Sequence, residues 1–523
     1  MSNDRTTYDT VPYPGHALAQ AHPDRLATIA TLFGMKPPEV RQCRVLELGC
    51  GDGLNLTSVA LGLPEAQCLG VDLAATGIRR AHDRARHLGL SNVKFESIDL
   101  LEINADFGKF DYIISHGLYS WVPEIVRDKL LSICAENLSE NGVAYVSYNT
   151  YPGGHFRDLA RNMMLFHVSD FANPRQRVSQ ARALVKFIID AGTEPDIYRM
   201  VLQKELERLD EFTDSSLYHD DLGEHNAPVY FYQFVDHAAR HGLKYLSEAH
   251  FFEVQTGIFS EKVVEVLNRM ADSAVAREQY LDFLKCRRFR QTLLCHKDRV
   301  LDDVPRPEKT ALFHIASPVR PASPDVSISA RDQVNFIGPK NSSIQTDNPL
   351  IKGALVALGK AWPKALPFDD LLETAQSSCG SNSSAVDNSD ALTLGELLLR
   401  AYAGGIVEFN LVPPRLVTFA AEKPIASPLA RLLSRESPDV VNLRHFNIRV
   451  EDFMSRFLLP LLDGEHDRGN LVHEAMALIK SGVAIVERNS PPTASSIEEN
   501  RNSLAVAIEQ RLAELAEMAL LLA

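Results

Sequence analysis

The run Glu47-Leu48-Gly49-Cys50-Gly51-Asp52-Gly53 constrains this chain more than any other part of its 523 residues. An apolar strand-like segment, Arg44–Cys50, leads into it, and a helical segment, Leu54–Leu63, follows. Glycine at alternate positions lets backbone approach a ligand that a Cβ would hold off. The N-terminus of the next helix adds unpaired N–H groups. A strand, a glycine loop and a helix in this order point to a doubly wound α/β sheet. The dinucleotide fingerprint G-x-G-x-x-G needs glycine at position 54, where Leu54 stands. Asp72 ends the next apolar segment about 20 residues on, where an acid can grip ribose hydroxyls.

The rest of the first third keeps the same alternation. Cys68–Leu73, Val93–Asp99, Phe110–Gly117 and Gly142–Asn149 read as strands. Ala75–Leu88 and Pro123–Leu138 read as the helices between them. Helical segments follow at Phe156–His167, Pro174–Ala191 and Ile197–Phe212. Val229–Gly242 is a helix ended by glycine, and Leu243–Phe251 and Arg288–His296 alternate like strands. These two strands are expected to complete one seven-stranded Rossmann-like sheet, the last antiparallel, with the intervening helices as insertions.

Asp302–Asp347 is rich in Pro, Ser and Asp and reads as a linker or a loosely strand-forming crossover. Helices at Pro349–Ala361, Pro367–Ala375 and Ala391–Ala403, then strands at Ile406–Leu411 and Arg415–Ala420, make a winged-helix order. A polar loop, Ser377–Asp390, interrupts it. A second such order uses Val450–Leu462, Asn470–Ser481 and a short strand Val483–Glu487 after Gly482. The tail places Leu504, Ile508, Leu512, Leu515 and Leu522 on one helical face. The expected domains are a core at 1–150, a helical insertion at 151–225 for a lid or dimerisation, a sheet-completing segment at 226–300 and a linker at 301–347. A winged-helix-like domain at 348–422 and a C-terminal helical or winged-helix-like domain at 423–523 complete an α+β C-terminal half.

Charge narrows the partners. With 54 Lys+Arg against 68 Asp+Glu the net charge is −14, which disfavours general binding to nucleic acid or an anionic membrane. Leu392–Ala403 carries one arginine, Arg400, so it reads as core and not as a DNA-recognition helix. The seven cysteines form no C-x-x-C pair, so neither a disulfide framework nor a cysteine zinc site is expected. The apolar stretch Leu26–Met35 is too short and wrongly flanked for a signal peptide, and no segment reads as a membrane span. A cytoplasmic location is the expectation.

The glycine loop, Asp72 and the strand order together resemble the class I S-adenosylmethionine (AdoMet) methyltransferases. That resemblance implies AdoMet as cofactor, with Glu47, Leu48, Gly49, Cys50, Gly51, Asp52 and Gly53 around its methionine part and Asp72 with Leu73 at the ribose. It places Asp99 and Leu100 at the adenine, and Ser115, His116 and Gly117 at the end of the fourth strand. A narrower likeness rests on YDTVPYPGH at Tyr8–His16, HGLYSWVP at His116–Pro123, YNTYPGGH at Tyr148–His155, HDDLGEHNAPVYFYQF at His219–Phe234 and EQYLDFLKCRRFRQTLL at Glu278–Leu294. It also takes in AHPDRLATIATLFG at Ala21–Gly34. These segments are similar to bacterial methyltransferases with a methyltransferase regulatory domain. That group includes protein-lysine methyltransferases acting on outer-membrane proteins, with a winged-helix C-terminal part.

Methyl transfer from a sulfonium asks the protein mainly for positioning. A lysine acceptor must arrive neutral, and an apolar aromatic pocket favours that by desolvating the ammonium. Tyr119, Trp121, Tyr148 and Tyr151 follow the fourth and fifth strands, at the edge where such sheets bind ligands. Tyr119, Trp121 and Tyr148 are therefore the substrate-pocket candidates, and His116 is a candidate base. Half-buried core aromatics are the competing reading. His219, Asp220, Asp221 and His225 form an apparent metal-ligand cluster, but a loop without helical i, i+4 spacing reads better as a lid, so no metal is assigned. Arg287, Arg288 and Arg290 read as flanking a strand, with partner binding as the alternative. The leading function is methyl transfer to a protein lysine, with a protein substrate as partner and a homodimer left open. The rivals are a small-molecule methyltransferase and an AdoMet-sensing binding protein that uses winged helices.

Overall fold

A computed structural model of the chain describes residues 6–192, 196–324, 326–379, 388–480 and 494–523. It divides into two compact units. The first holds the N-terminal residues through His16 together with Ile29–Val304, and the second holds Ala17–Thr28 with Pro305–Ala523.

The first unit is built on a seven-stranded sheet of order β3-β2-β1-β4-β5-β7-β6. Its strands are β1 (Arg44–Leu48), β2 (Gln67–Asp72), β3 (Val93–Ser97), β4 (Phe110–Ser115), β5 (Leu138–Asn149), β6 (Leu243–Glu248) and β7 (Phe289–His296). The first five run parallel, while β7 is antiparallel to both β5 and β6. Helices α1 (Leu54–Gly62), α2 (Ala75–His87) and α3 (Glu124–Glu136) make the crossovers. The apolar residues of β1, β4 and β5, among them Leu46, Ile113 and Val146, are fully buried with Leu130 and Leu131 of α3. Both faces of the central strands are covered, which is why they read as near-continuous apolar runs.

The expected closing strands are present, with changed limits. β6 stops at Glu248 because the chain turns into a short 3₁₀ segment at Phe251–Val254. β5 begins at Leu138, ahead of the expected Gly142, across a register shift against β4. Between β5 and β6 lie α4 (Gly154–His167), α5 (Pro174–Asp190), α6 (Ile197–Glu211), α7 (Asp214–Asp220) and α8 (Phe231–Arg240). The first four enclose their own core, which includes Met164, Val178, Val185, Leu202 and Leu217. Asn173 caps α5 by accepting from the N–H groups of Arg175 and Gln176, and Pro174 at the first turn has no N–H to leave unpaired. α9 (Glu261–Met270) and α10 (Ala274–Lys285) lead into β7.

The Arg287–Arg290 cluster is not a basic patch. Arg290 is buried and pairs with Glu248, Glu278 and Asp282 at 2.6–3.1 Å, with its guanidinium 3.7 Å from the Phe231 ring centroid. Arg287 pairs with Asp282 at 3.0 Å, and Arg288 with the buried Glu205 at 2.7 Å. Each charge is matched by an acid, as burial of a guanidinium requires.

In the second unit, helices Pro349–Ala361, Phe368–Ser378 and Asn388–Ala403 follow one another as expected. Residues 301–347, expected as a linker or a loosely strand-forming crossover, hold short strands. His314–Ala316 pairs with both Leu366–Pro367 and Glu408–Asn410, and Val334–Ile337 pairs with Arg320–Pro321 and Ser343–Thr346. The expected strand at Arg415–Ala420 is absent, because Glu408–Asn410 takes its partner from upstream. The middle of the Ser377–Asp390 loop and the strand expected at Val483–Glu487 lie outside the described residues. The C-terminal helix Ala494–Glu517 buries Ile508, Leu512 and Leu515 against Leu458, Leu462 and Leu471. Leu522 lies beyond that helix and is 37 % exposed, so it is not part of the buried face.

Within this unit Asp24 accepts backbone N–H groups from Leu411 and Val412 at 2.9 and 2.7 Å. Glu408 bridges Arg25 and Arg444 at 2.7 and 2.6 Å. Those two guanidinium groups hold the Glu408 carboxyl down at about 2 despite its burial.

Candidate active site at the carboxyl edge of the sheet

The parallel register brings the ends of β1, β2 and β4 side by side, with Glu47 opposite both Gly70 and Ile114. The glycine loop leaves β1 on hydrogen bonds from Gly49 N and Cys50 N to Val71 O at 2.8 and 3.1 Å. Gly51 (φ +57°) and Gly53 (φ +70°) both need the left-handed conformation, for different reasons. A Cβ on Gly53 would stand 2.5 Å from the Phe95 ring and 2.7 Å from Ala81, so this glycine lets α1 start against β3 and α2. A Cβ on Gly51 would meet nothing within 4 Å. That space is where a ligand can approach the backbone.

The acids divide by role. Glu47 is buried; Asn55 donates to its Oε1 at 2.9 Å, and Oε2 has no hydrogen-bond partner among the described residues. Burial pushes its carboxyl up to about 8. Asp72 accepts from Gly51 N and Ala74 N, both at 2.8 Å, and burial raises its pKa in spite of them. Asp52 accepts from Leu54 N at 3.1 Å and pairs with Arg84 of α2 at 2.8 Å, which fixes the loop to the next helix. Asp99 accepts from Leu101 N at 3.0 Å, and Leu100 beside it is in the core. Leu73 is 52 % exposed and offers an apolar surface next to Asp72.

Leu118, in the loop after β4, abuts Gly49. Ser115 is buried with its hydroxyl unpartnered among the described residues. His116 Nδ1 lies 2.8 Å from the Tyr145 hydroxyl, and Gly117 N donates to Ser147 Oγ at 2.8 Å. Burial, reinforced by His16, lowers the His116 pKa to about 4, which makes it a poor proton acceptor near neutrality.

The aromatic candidates separate. Tyr119 and Tyr148 are 2 % and 1 % exposed and belong to the core. Tyr148 stacks on Phe234 at 4.0 Å and shares a hydrogen bond with Thr292, and Tyr119 bonds His237 Nδ1 at 2.8 Å. Their burial against α8 corrects the expectation that they line an open pocket. Trp121 is half-buried, with the Arg157 guanidinium 5.2 Å from its ring centroid. Tyr151 stacks on His155 at 4.0 Å and lies 5.4 Å from Tyr230. Sequence reasoning missed the polar chain beneath these rings. Asn149 donates to Asn226 at 2.9 Å, Asn226 to Asp158 at 3.0 Å, and Tyr151 to the other Asp158 oxygen at 2.9 Å. Asn226 comes from a segment distant in sequence from the other residues, and that segment is held to the end of β5 by bonds that include Val229 N to Asn149 O at 3.2 Å and Tyr151 N to Val229 O at 3.3 Å.

The N-terminal residues also reach this region. Asp9 accepts from Thr76 N at 2.9 Å, at the start of α2, and Tyr8 stacks on His219 at 4.1 Å. His219 and Asp220 lie on α7, not in a loop. His219 bonds Val11 O, Asp220 accepts from Tyr13, and Asp221 pairs with Arg157 and Arg208. His219 and Asp220 hold the N-terminal segment, and Asp221 is paired with two guanidinium groups.

The residues fit AdoMet. Its ammonium and ribose hydroxyls are donors, and Glu47 Oε2 and Ser115 Oγ, buried and unpartnered among the described residues, belong to the carboxyl ends of strands that neighbour the one ended by Asp72 or each other. The open space beside Gly51 supplies the cradle.

Comparison with known proteins gives the same assignment. A methyltransferase domain model matches residues 39–198, a predicted methyltransferase regulatory domain 213–296, and a PKMT C-terminal winged helix domain 422–520. The chain is 36 % identical over 494 residues to the uncharacterized protein RP789 of Rickettsia prowazekii, covering 93 % of this chain and 88 % of that one. The structure of PKMT2 from Rickettsia typhi superposes with a TM-score of 0.85 at 28 % identity over 98 % of this chain and 100 % of that one. PKMT2 in complex with AdoHcy matches equally well. The chain is an AdoMet-dependent enzyme and belongs to the class I methyltransferases that carry a methyltransferase regulatory domain and a PKMT winged helix domain.

Proposed function

We propose that this methyltransferase transfers the methyl group to a lysine ε-amine of a protein substrate. The observation that carries the reading is the set of aromatic faces of Trp121, Tyr151, His155 and Tyr230 beyond β4 and β5, above the Asn149–Asn226–Asp158 chain. The likeness to PKMT2, read as a protein-lysine methyltransferase, supports it. Glu47, Gly51, Asp72 and Leu73 would hold AdoMet, which supplies an activated methyl group on a sulfonium. The chain's part is to desolvate and orient the amine. Aromatic walls disfavour the ammonium form and lower its pKa, while ring faces attract the cationic product nitrogen. Asp158 lies within reach of a charged amine as it enters, held by Tyr151 and Asn226. The entering ammonium would give its proton to water as the rings desolvate it, and the same rings would hold the methylated ammonium until its release.

The test is transfer of labelled methyl from AdoMet to a panel of envelope and cytoplasmic proteins, with mass spectrometry of the labelled residues. Methyl-lysine is the expected product. Label confined to small molecules, or found on protein carboxylates, rules the lysine reading out while leaving the methyltransferase assignment intact.

A further inference from the structure

α3 and α8 bring together three groups that the methyl-transfer chemistry leaves unused. Asp128 on α3 faces His237 on α8 and His241 just past its end, and one ligand atom from each lies within 4.8 Å of the others. His237 Nε2 is 3.1 Å from Asp128 Oδ1, and His241 Nε2 is 2.8 Å from the same oxygen. Histidines at i and i+4 on one helix face are a recurrent way to present two imidazoles to one ion. Metal–ligand bonds of about 2.1 Å at right angles place neighbouring ligand atoms about 3.0 Å apart, and tetrahedral angles about 3.4 Å. The nitrogen–oxygen contacts here, 3.1 and 2.8 Å, are hydrogen bonds only slightly shorter than the tetrahedral spacing, so a small outward shift of the side chains lets an ion take their place. The other ring nitrogen of His237, Nδ1, is fixed by the buried Tyr119 hydroxyl at 2.8 Å. Metal-ligating histidines are characteristically held by such a partner on their second nitrogen. His237 and His241 are 12 % and 19 % exposed at the side chain, and Asp128 is 59 % exposed, so the cluster is walled on one side and open to solvent on the other.

We propose that Asp128, His237 and His241 form a binding site for one borderline divalent cation of the Zn²⁺ type, with water completing its coordination. Two imidazoles and one carboxylate suit Zn²⁺ and its first-row neighbours rather than Mg²⁺ or Ca²⁺, which want oxygen ligands. The ion clamps α3 to α8. Through His237 and Tyr119 it also bears on the 3₁₀ turn Tyr119–Trp121, which carries Trp121. The site is structural and does not depend on which acceptor the enzyme methylates.

The experiment uses the untagged, chelator-washed full chain and ZnCl₂ in a non-coordinating buffer. Calorimetry is expected to give one equivalent bound with Kd of about 10 µM or tighter, at least about tenfold weaker in both His241→Ala and Asp128→Asn. AdoHcy binding by each variant reports that it is folded. Crystals of the wild type soaked in Zn²⁺ supply the check that needs no variant: an anomalous peak between the two Nε2 atoms and the Asp128 carboxylate is expected. No saturable binding below about 100 µM, variants that bind like wild type, or an anomalous peak only elsewhere overturns the site.

Discussion

Two glycines two residues apart in one loop should fail in different ways when each is given a methyl group. Gly53 sits at φ +70°, and its Cβ would lie 2.5 Å from Phe95 and 2.7 Å from Ala81. Phe95 is 2 % exposed on β3, so its ring has nowhere to swing. A left-handed L-residue costs about 1–2 kcal/mol, and overpacking a tight site adds about 1–3 kcal/mol. Gly53→Ala should therefore lose about 2–5 kcal/mol of stability in the first unit, a fall in Tm on the order of 4–20 °C at ~2–4 °C per kcal/mol. Gly51, at φ +57°, has nothing within 4 Å of its Cβ position. Gly51→Ala bears only the backbone cost of about 1–2 kcal/mol, but its methyl enters the cofactor space. AdoMet affinity should drop at least about tenfold, or 1.4 kcal/mol. The assay is thermal unfolding with and without AdoMet, alongside calorimetric titration of both variants. The reasoning is refuted if Gly53→Ala melts like wild type, or if folded Gly51→Ala binds AdoMet with undiminished affinity.

Trp121→Ala removes a ring that the proposed function puts against the acceptor, so turnover should fall about tenfold or more while AdoMet affinity changes less than about threefold; single-turnover methylation paired with calorimetry separates the two, and an equal loss in both contradicts that proposal. Glu408 has a folded-state pKa of about 2, below its ordinary 4.5, so its contribution to the second unit is complete above pH 4.5 and is lost as pH falls towards 2. Glu408→Gln should cost about 3 kcal/mol at neutral pH and flatten the acid limb of the stability curve, as read by urea unfolding between pH 2 and 7; an unchanged acid limb would count against the Arg25–Glu408–Arg444 bridge.

The sheet was legible because its signals are local. Arg44–Leu48 and Phe110–Ser115 are apolar runs bounded by glycines or helices, and β6 follows α8 across Gly242, at φ +80°. The geometry of the glycine loop was legible because Glu47, Gly51 and Asp72 belong to one strand–loop–helix–strand unit. The acceptor side was not, since an aromatic after a strand carries no mark of which face it will take. Tyr148 sits on β5 with its ring against Phe234, while Trp121 stays half-buried in the preceding turn. The strands within 301–347 are two to four residues long, too short for alternation to stand out among prolines and serines. The cluster of Asp128 with His237 and His241 spans 109 residues from Asp128 to His237, so only the i, i+4 histidine pair could have signalled it.

The measurement that bears most directly on the cofactor site is the AdoMet binding isotherm of Asp72→Ala beside wild type. Asp72 anchors Gly51 through its backbone N–H and stands beside the exposed Leu73, where the ribose is to be held. Loss of a charge-assisted hydrogen bond is worth about 1.5–3 kcal/mol, so the variant should bind roughly 10- to 100-fold more weakly while keeping its fold. A folded Asp72→Ala chain that binds AdoMet as tightly as wild type would contradict the account.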